Sequence, residues 1–424
     1  MKKLVFLLPL FSSFNGLSLK FLGISLRLDQ IAVIFLSIIV FLHKKIVSKE
    51  KIVFSKEYIL LGLFFIVSLG SSILNSPDKL FSVVQTINII TNSLAFFVVV
   101  NTLNSIEIIV EFLVFGFNTV LLISIISFLL FLFSYISGTQ LYGINLTQNQ
   151  NEAFGVFFTM REPNVFGSYM ILYFLLAFVL YIDEDNSSFY FKKSFLSLVL
   201  VFTGISILLS FTRGAWLAVL LSIFTYYLFS LGKVKRNYFK IILMPVVVLF
   251  IFFILSNVLK IEFLSYKLDN FVSTKGGTSE GRLWVWFKAL DNWINQKNYL
   301  IGNGTFSFAS FFNVGGYSAS TNAWIGNMPL TILHDTGVIG FIFFFLFYVS
   351  LVVGTIVVLK KAEKNHYLST KKKSILIPFS WGFVLGIVGI FIAFFFTVAL
   401  NYTYPWLFMG LLIASRNLLE GEVA

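Results

Sequence analysis

Apolar runs recur along almost the whole chain, each separated from the next by a short polar connector. A run of about 20 mainly apolar residues is the length that crosses a bilayer as a helix. Lipid offers the backbone no hydrogen-bond partners, so each run must satisfy its own polar groups, which a helix does and an open strand does not. By that criterion about twelve spans are expected. They lie near 4–22, 28–43, 57–75, 80–102, 107–135, 163–182, 195–212, 214–231, 240–257, 328–359, 375–398 and 402–416. The first is diluted by Ser12, Ser13, Asn15 and Lys20. The fifth and tenth are longer than a span requires, so they are expected to tilt or project. Met1-Lys2-Lys3 followed by Leu4 to Leu10 mimics a signal peptide, but the run is short and no small-x-small site follows cleanly, so it reads as a retained first helix. The chain is 58% hydrophobic and only 12% charged, about half the charge of a soluble domain. The fold expected is therefore an all-α polytopic membrane protein.

Charge sets the expected orientation. With the N-terminus in the cytoplasm and the helices alternating, the cytoplasmic connectors hold Lys44, Lys45, Lys49, Lys51 and Lys56, then Lys192 and Lys193, then Lys233, Lys235, Arg236 and Lys240. They also hold Lys360, Lys361, Lys364 and Lys371 to Lys373. Most of the 31 basic residues then lie inside, as lysine-rich and arginine-rich short loops do. The net charge of +12 is read this way rather than as a nucleic-acid footprint. Both termini are expected in the cytoplasm. The chain then divides into nine spans at 1–257, an extracytoplasmic loop at 258–327, and three spans at 328–424.

Several chemistries lack their residues. There is no cysteine, hence no thiol nucleophile and no cysteine-bound zinc. The three histidines form no zinc-type cluster, and no phosphate-cradling glycine loop of the Walker type is present. No metal or other cofactor is implied. The halves show no internal repeat, which counts against a secondary transporter. The two longest polar loops, near 136–162 and 258–327, fall on the extracytoplasmic side, where there is no ATP.

The long polar stretch from Gly276 to Gly340 carries the most information. It opens Gly276-Gly277-Thr278-Ser279-Glu280-Gly281-Arg282-Leu283, passes Leu300-Ile301-Gly302-Asn303-Gly304, and closes on Thr321-Asn322-Ala323-Trp324 and His334-Asp335-Thr336-Gly337-Val338-Ile339-Gly340. Order and spacing resemble the O-antigen ligase and polymerase family of bacterial membrane glycosyltransferases. Thr212-Arg213-Gly214-Ala215 is similar to that family's Ser-Arg-Gly element, and Glu162-Pro163-Asn164 to its Glu-Pro-Asn helix start.

Arginines are the first candidates for chemistry, because cations at membrane depth are costly. Arg213 lies between two apolar runs with almost no loop, either snorkelling to headgroups or aimed into an outward cavity. Arg161 precedes Pro163, which suits the first turn of a helix. Arg282 opens an amphipathic helix with Ser279 as its expected N-cap. Leu283, Trp286, Phe287, Leu290, Trp293 and Ile294 give that helix an apolar side, expected to lie along the membrane surface. Guanidiniums bind phosphate oxygens in pairs and stabilise a leaving pyrophosphate without a metal. Arg213, Arg282 and Arg161 are thus the expected pyrophosphate clamp. The acceptor hydroxyl needs a base. The family commonly places a His-Asn pair ahead of the last Gly-rich helix, but here those positions read Gly326-Asn327. His334 with Asp335 is the expected base and orienting partner. The alternative is a packed histidine, with Asp335, Glu280 or Glu162 taking the proton. Asn327, Asn322 and Glu280 are expected to position the acceptor or the loop.

The resemblance implies a multi-pass enzyme of the bacterial inner membrane. It would transfer a glycan from an undecaprenyl-pyrophosphate-linked oligosaccharide to a glycan or lipid acceptor. Its expected surroundings are the bilayer and other polysaccharide export components. Polymerase and ligase share these motifs. The rival reading is a transporter or flippase of lipid-linked glycans. Since the chain lacks cysteine, orientation is directly testable. A cysteine replacing Ser318 should react with an impermeant thiol reagent in spheroplasts, and one replacing Ser369 should not. Labelling at Ser369 alone would reverse the topology.

Overall fold

The computed structural model describes residues 2–21, 24–145, 155–160, 162–183, 191–230, 278–311, 324–364 and 370–423. Among them the regular structure is helical apart from two small antiparallel hairpins. The order is α1 (Lys2–Val5), α2 (Leu8–Ser13), β1 (Ser18–Phe21), β2 (Ile24–Arg27), α3 (Leu28–Leu42), α4 (Glu57–Leu74), α5 (Lys79–Thr102) and α6 (Ile106–Ser137). Then come β3 (Ile144–Asn145), β4 (Gly155–Val156), α7 (Pro163–Ile182), α8 (Lys193–Leu209), α9 (Arg213–Ser230), α10 (Thr278–Asn295), α11 (Phe308–Phe311), α12 (Met328–Lys364), α13 (Thr370–Ala393) and α14 (Thr403–Val423).

Seven helices among the described residues are long and apolar enough to cross a membrane. Helices α8 and α9 are apolar but shorter. The span expected near 240–257 lies outside the described residues. The expectation of one helix at 4–22 needs correction. The chain there forms α1 and α2, then turns into the β1–β2 hairpin, with Ser18 opposite Arg27. Pro9 brings no N–H to the second helix. Ser12, Ser13 and Asn15 bond carbonyls three residues back, offering the backbone local partners in place of further helical turns.

Helix α7 forms the centre. It is apolar around its whole circumference, and only a buried helix can be so. It packs on α8, α9 and α13, while α12 packs on α4 and α14 on α5. Several of the connections meet at one end of the bundle. There Gly16 N–H donates to Thr159 O (3.0 Å) and Met328 N–H to Phe394 O (2.8 Å). The 210–212 turn lies against Gly155 and Gly167, and Gly214 lies against Phe396.

Helix α12 is not continuous, contrary to the single long span expected from sequence. Gly337 breaks it, with φ 64° and ψ −170°, a region that belongs essentially to glycine. In an unbroken helix, Val338 and Ile339 would donate to the carbonyls of His334 and Asp335. Here the turn Tyr299–Gly304 inserts between the two halves. Val338 N–H donates to Tyr299 O (2.8 Å) and Ile339 N–H to Leu300 O (3.1 Å). The freed carbonyls of His334 and Asp335 accept from Asn303 N–H (3.0 Å) and Gly304 N–H (2.9 Å). Gly302 and Gly337 face one another: a Cβ on Gly302 would stand 2.4 Å from Gly337 N, and one on Gly337 2.4 Å from Leu300 O.

The turn rests on a row of small polar residues of α4 and α5. Ser72 Oγ accepts from Thr305 N–H (3.1 Å), Thr86 Oγ1 donates to Thr305 Oγ1 (2.7 Å), and Asn75 Nδ2 donates to Gly302 O (2.8 Å). Ser71 Oγ donates to the Asp335 carbonyl, giving that oxygen a second partner. Gly337→Ala should therefore cost several kcal/mol, from backbone strain of about 1–3 kcal/mol plus the steric overlap. The readout is folded yield and unfolding midpoint in detergent. Gly62→Ala is the control, since a Cβ there meets nothing within 4 Å. Equal stability of the two variants would show that the turn does not seat in the break.

Candidate functional site

His334 and Asp335 end the first half of α12, and both are buried. His334 Nδ1 pairs with Asp335 Oδ1 at 2.7 Å, the geometry of a ring and its orienting carboxylate. The other ring nitrogen, Nε2, pairs with Asn292 Oδ1 of α10 at 2.8 Å and lies 3.4 Å from Asn303 Nδ2. Phe308 and Phe311 meet the ring edge-on. Asp335 Oδ2 accepts from Phe306 N–H at 2.7 Å. Phe306 itself has φ 54°, uncommon for a bulky residue. A general base must reach the proton it removes, and in this arrangement both imidazole nitrogens reach protein groups. The pair joins α10, the 299–304 turn and α12.

The arginines occupy a neighbouring part of the same end. Arg213 is the first residue of α9, after a turn in which Phe211 has φ 51°. That turn packs on the start of α7: Gly167 faces Ser210 Oγ and Ala215 Cβ. Pro163 begins α7 as expected, with Glu162 at its N-cap. The Glu162 side chain makes no capping bond. Arg282 is partly buried in the first turns of α10. Burial lowers its pKa from the ordinary arginine value, the Arg213 cation lowers it further, and the Glu162 carboxylate raises it. The structure thus brings Arg213 and Glu162 each within electrostatic reach of Arg282. Two guanidiniums within electrostatic reach repel, and a bound anion offsets that repulsion.

Helix α10 includes Ser279 rather than starting after it as a cap. Its Trp286 indole N–H donates to Ile325 O at 2.9 Å, and Val285 and Trp286 pack on Ala289, Phe308 and Ile325. Leu283, Phe287, Leu290 and Ile294 point away from the protein and are exposed. The apolar side read from sequence is thus two faces, one for the protein and one that suits lipid. Glu280 lies in the same helix, and its side chain falls outside the described residues, as do Arg161 and Asn322 altogether. Asn327 caps the first half of α12, its Oδ1 accepting from Leu330 N–H at 3.0 Å and its carbonyl from Thr331 N–H. Gly326 has φ 68°, with open space where a Cβ would stand.

Sequence reasoning missed Asn292 and Asn303, the partners of His334. It also missed the row Ser68, Ser71, Ser72, Asn75 and Ser76. Its three-to-four-residue spacing within an apolar helix is the available signal, since such residues hydrogen-bond between helices in lipid.

This architecture defines a multi-pass helical membrane protein with a buried polar network at the break in α12. A family profile described as O-Antigen ligase matches residues 198–345. The match covers Arg213, Arg282, Asn327, His334 and Asp335. The match spans residues 198–345 and supports a likeness of that stretch to the O-antigen ligase and polymerase family. No curated protein matches the chain. The activity that accompanies the domain is glycan transfer of the ligase or polymerase type in surface-polysaccharide synthesis.

The network makes its own prediction. His334→Ala leaves Asp335 and Asn292 short of partners in a buried place, at about 1–3 kcal/mol for each group. The unfolding midpoint in detergent should fall whatever happens to activity. An unchanged midpoint would mean that the ring does not tie α10 to α12.

Proposed function

We propose that Arg213 and Arg282 hold the pyrophosphate of an undecaprenyl-linked glycan donor, with transfer of the glycan to an acceptor hydroxyl at the extracytoplasmic face. The observation that carries this reading is that two partly buried guanidiniums from separate elements, α9 and α10, lie within electrostatic reach of one another. Bond cleavage at the anomeric carbon moves negative charge onto the departing pyrophosphate. Fixed guanidiniums stabilise that charge more than they stabilise the ground state, which is what accelerates a reaction. The 258–327 loop, as the extracytoplasmic unit between spans 9 and 10, would bring Arg282 over the donor, and Arg161 would join the clamp from the start of α7.

Within this reading His334 and Asp335 serve first as the joint that fixes α10, and so fixes Arg282. Glu162 is the described carboxylate that acts on Arg282 electrostatically, and it is our candidate to accept the acceptor's proton. The exposed stripe Leu283, Phe287, Leu290 and Ile294 supports a helix lying on the bilayer, where the donor's diphosphate is found. Whether the acceptor is another lipid-linked repeat or an end acceptor is set by contacts beyond this pair.

Arg282→Ala and Arg213→Ala should each lower product formation about a hundredfold or more, the usual cost of losing one donor to a developing anion. Lysine at either position should restore only part of the activity, since it keeps the charge but not the paired contact. Polymer or ligated product is quantified at matched protein level. Wild-type turnover by Arg282→Ala would reduce α10 to a lid and remove the clamp from the mechanism.

A further inference from the structure

Beside the His334 network is a small cavity of about 60 Å³ that Phe81, Asp78, Phe306, Trp324, Thr331 and Asp335 help to line. Phe306 and Trp324 form a corner, their ring centroids 4.5 Å apart and their planes at 64°. The polar side of the cavity carries two carboxylates and the hydroxyls of Thr331 and Ser310. Asp78 caps α5 through Oδ1, which accepts from Phe81 N–H at 3.0 Å. Asp335 already accepts one bond on each oxygen, and a carboxylate has about four lone-pair sites. Thr331 Oγ1 donates to Asn327 O, leaving its oxygen able to accept.

We propose that this corner takes the edge of one sugar ring of the substrate glycan. The inference rests on the transfer reading above and adds a binding site to it. A pyranose has one face of C–H groups and a rim of hydroxyls. The C–H face suits an aromatic wall, and hydroxyl donors suit carboxylates, whose hydrogen bonds are roughly twice as strong as neutral ones. A site with apolar walls and a few convergent polar groups is the usual form of a small-ligand pocket. The volume fits a ring edge or an exocyclic group rather than a whole sugar.

Position supports the assignment. Ile325 also lines the cavity, and its carbonyl accepts the indole N–H of Trp286. Arg282 lies one helical turn before Trp286 on α10. The sugar corner is thus tied through Trp286 to the helix that carries Arg282. The φ of 54° at Phe306 and its N–H bond to Asp335 hold the aromatic wall against the carboxylate.

The test uses the full chain in lipid nanodiscs and three free sugars as probes: glucose, galactose and N-acetylglucosamine. Saturation-transfer NMR reads binding without any need for turnover. At least one sugar should receive saturation from the wild-type protein. Trp324→Phe should retain the signal. Trp324→Ala and Asp78→Asn should lower it about tenfold, the ratio that 1.4 kcal/mol of lost contact gives. Asparagine keeps an oxygen for the α5 cap, and the unfolding midpoint of each variant is measured alongside. Absence of signal from all three sugars, or undiminished signal in Trp324→Ala, would overturn the site. Product assays on the same preparations keep the two readings apart. A wild-type protein that forms product but binds no sugar loses only the pocket, and one that binds sugar but forms no product loses only the transfer reading.

Discussion

The structure depends on how a helix at membrane depth can be interrupted without leaving backbone groups bare. An unpaired N–H or C=O in hydrocarbon costs several kcal/mol. At Gly337 the chain gives up the two helical bonds that would join His334 and Asp335 to Val338 and Ile339. It replaces them with four bonds to the turn Tyr299–Gly304. In many transporters such a break exposes helix ends to an ion or substrate. Here those ends are occupied by another part of the same protein, so the break serves as a socket.

What surrounds the socket follows from its need for polar partners. Ser71, Ser72, Asn75 and Thr86 turn the ends of α4 and α5 into a hydrogen-bonding surface. A second polar knot ties the start of α3 to α5 and α14. Arg27 pairs with Asp29 at 3.0 Å, Asn92 accepts from Arg27, and Thr403 donates to Asp29 at 2.8 Å. Toward the opposite end of α4, Glu57 and Arg416 form a two-bond ion pair, at 2.9 and 3.1 Å, with both side chains buried. Buried pairs contribute less net stability than their Coulomb energy suggests, but breaking one by removing a single partner is severe. Helix α4 is thus fixed at both ends, and α12 is fixed through it.

How much of this could be read from the sequence depended on the range of the interaction. The apolar runs gave the helices because membrane spans are local in sequence. Arg213 and Arg282 stood out because arginines at the edge of a membrane span are rare and costly, and their role is the proposal made above. Pro163 at the start of α7 was legible because a proline favours the first turn. The break at Gly337 was not, because Leu333-His334-Asp335-Thr336-Gly337-Val338-Ile339-Gly340 reads as ordinary span until the turn some 35 residues earlier is placed inside it. The partners of His334 were hidden for the same reason: Asn292 lies 42 positions away and Asn303 31. The first expected span failed because hydropathy outweighed Pro9 and the serines that follow it, which are the local signals of a chain leaving a helix.

The facing glycines Gly302 and Gly337 make the seated turn and the broken helix depend on one another. The turn is synthesised before α12, after α4 and α5 have presented Ser71, Ser72 and Asn75. Until α12 arrives, the turn's own carbonyls and N–H groups face water or those side chains. Until the turn seats, the two halves of α12 are better off as one unbroken rod, since a rod leaves no backbone group without a partner. Seating the turn and breaking α12 are thus one exchange of hydrogen bonds, each requiring the other. The ring of His334 and, through Asn292, the helix bearing Arg282 depend on that same exchange.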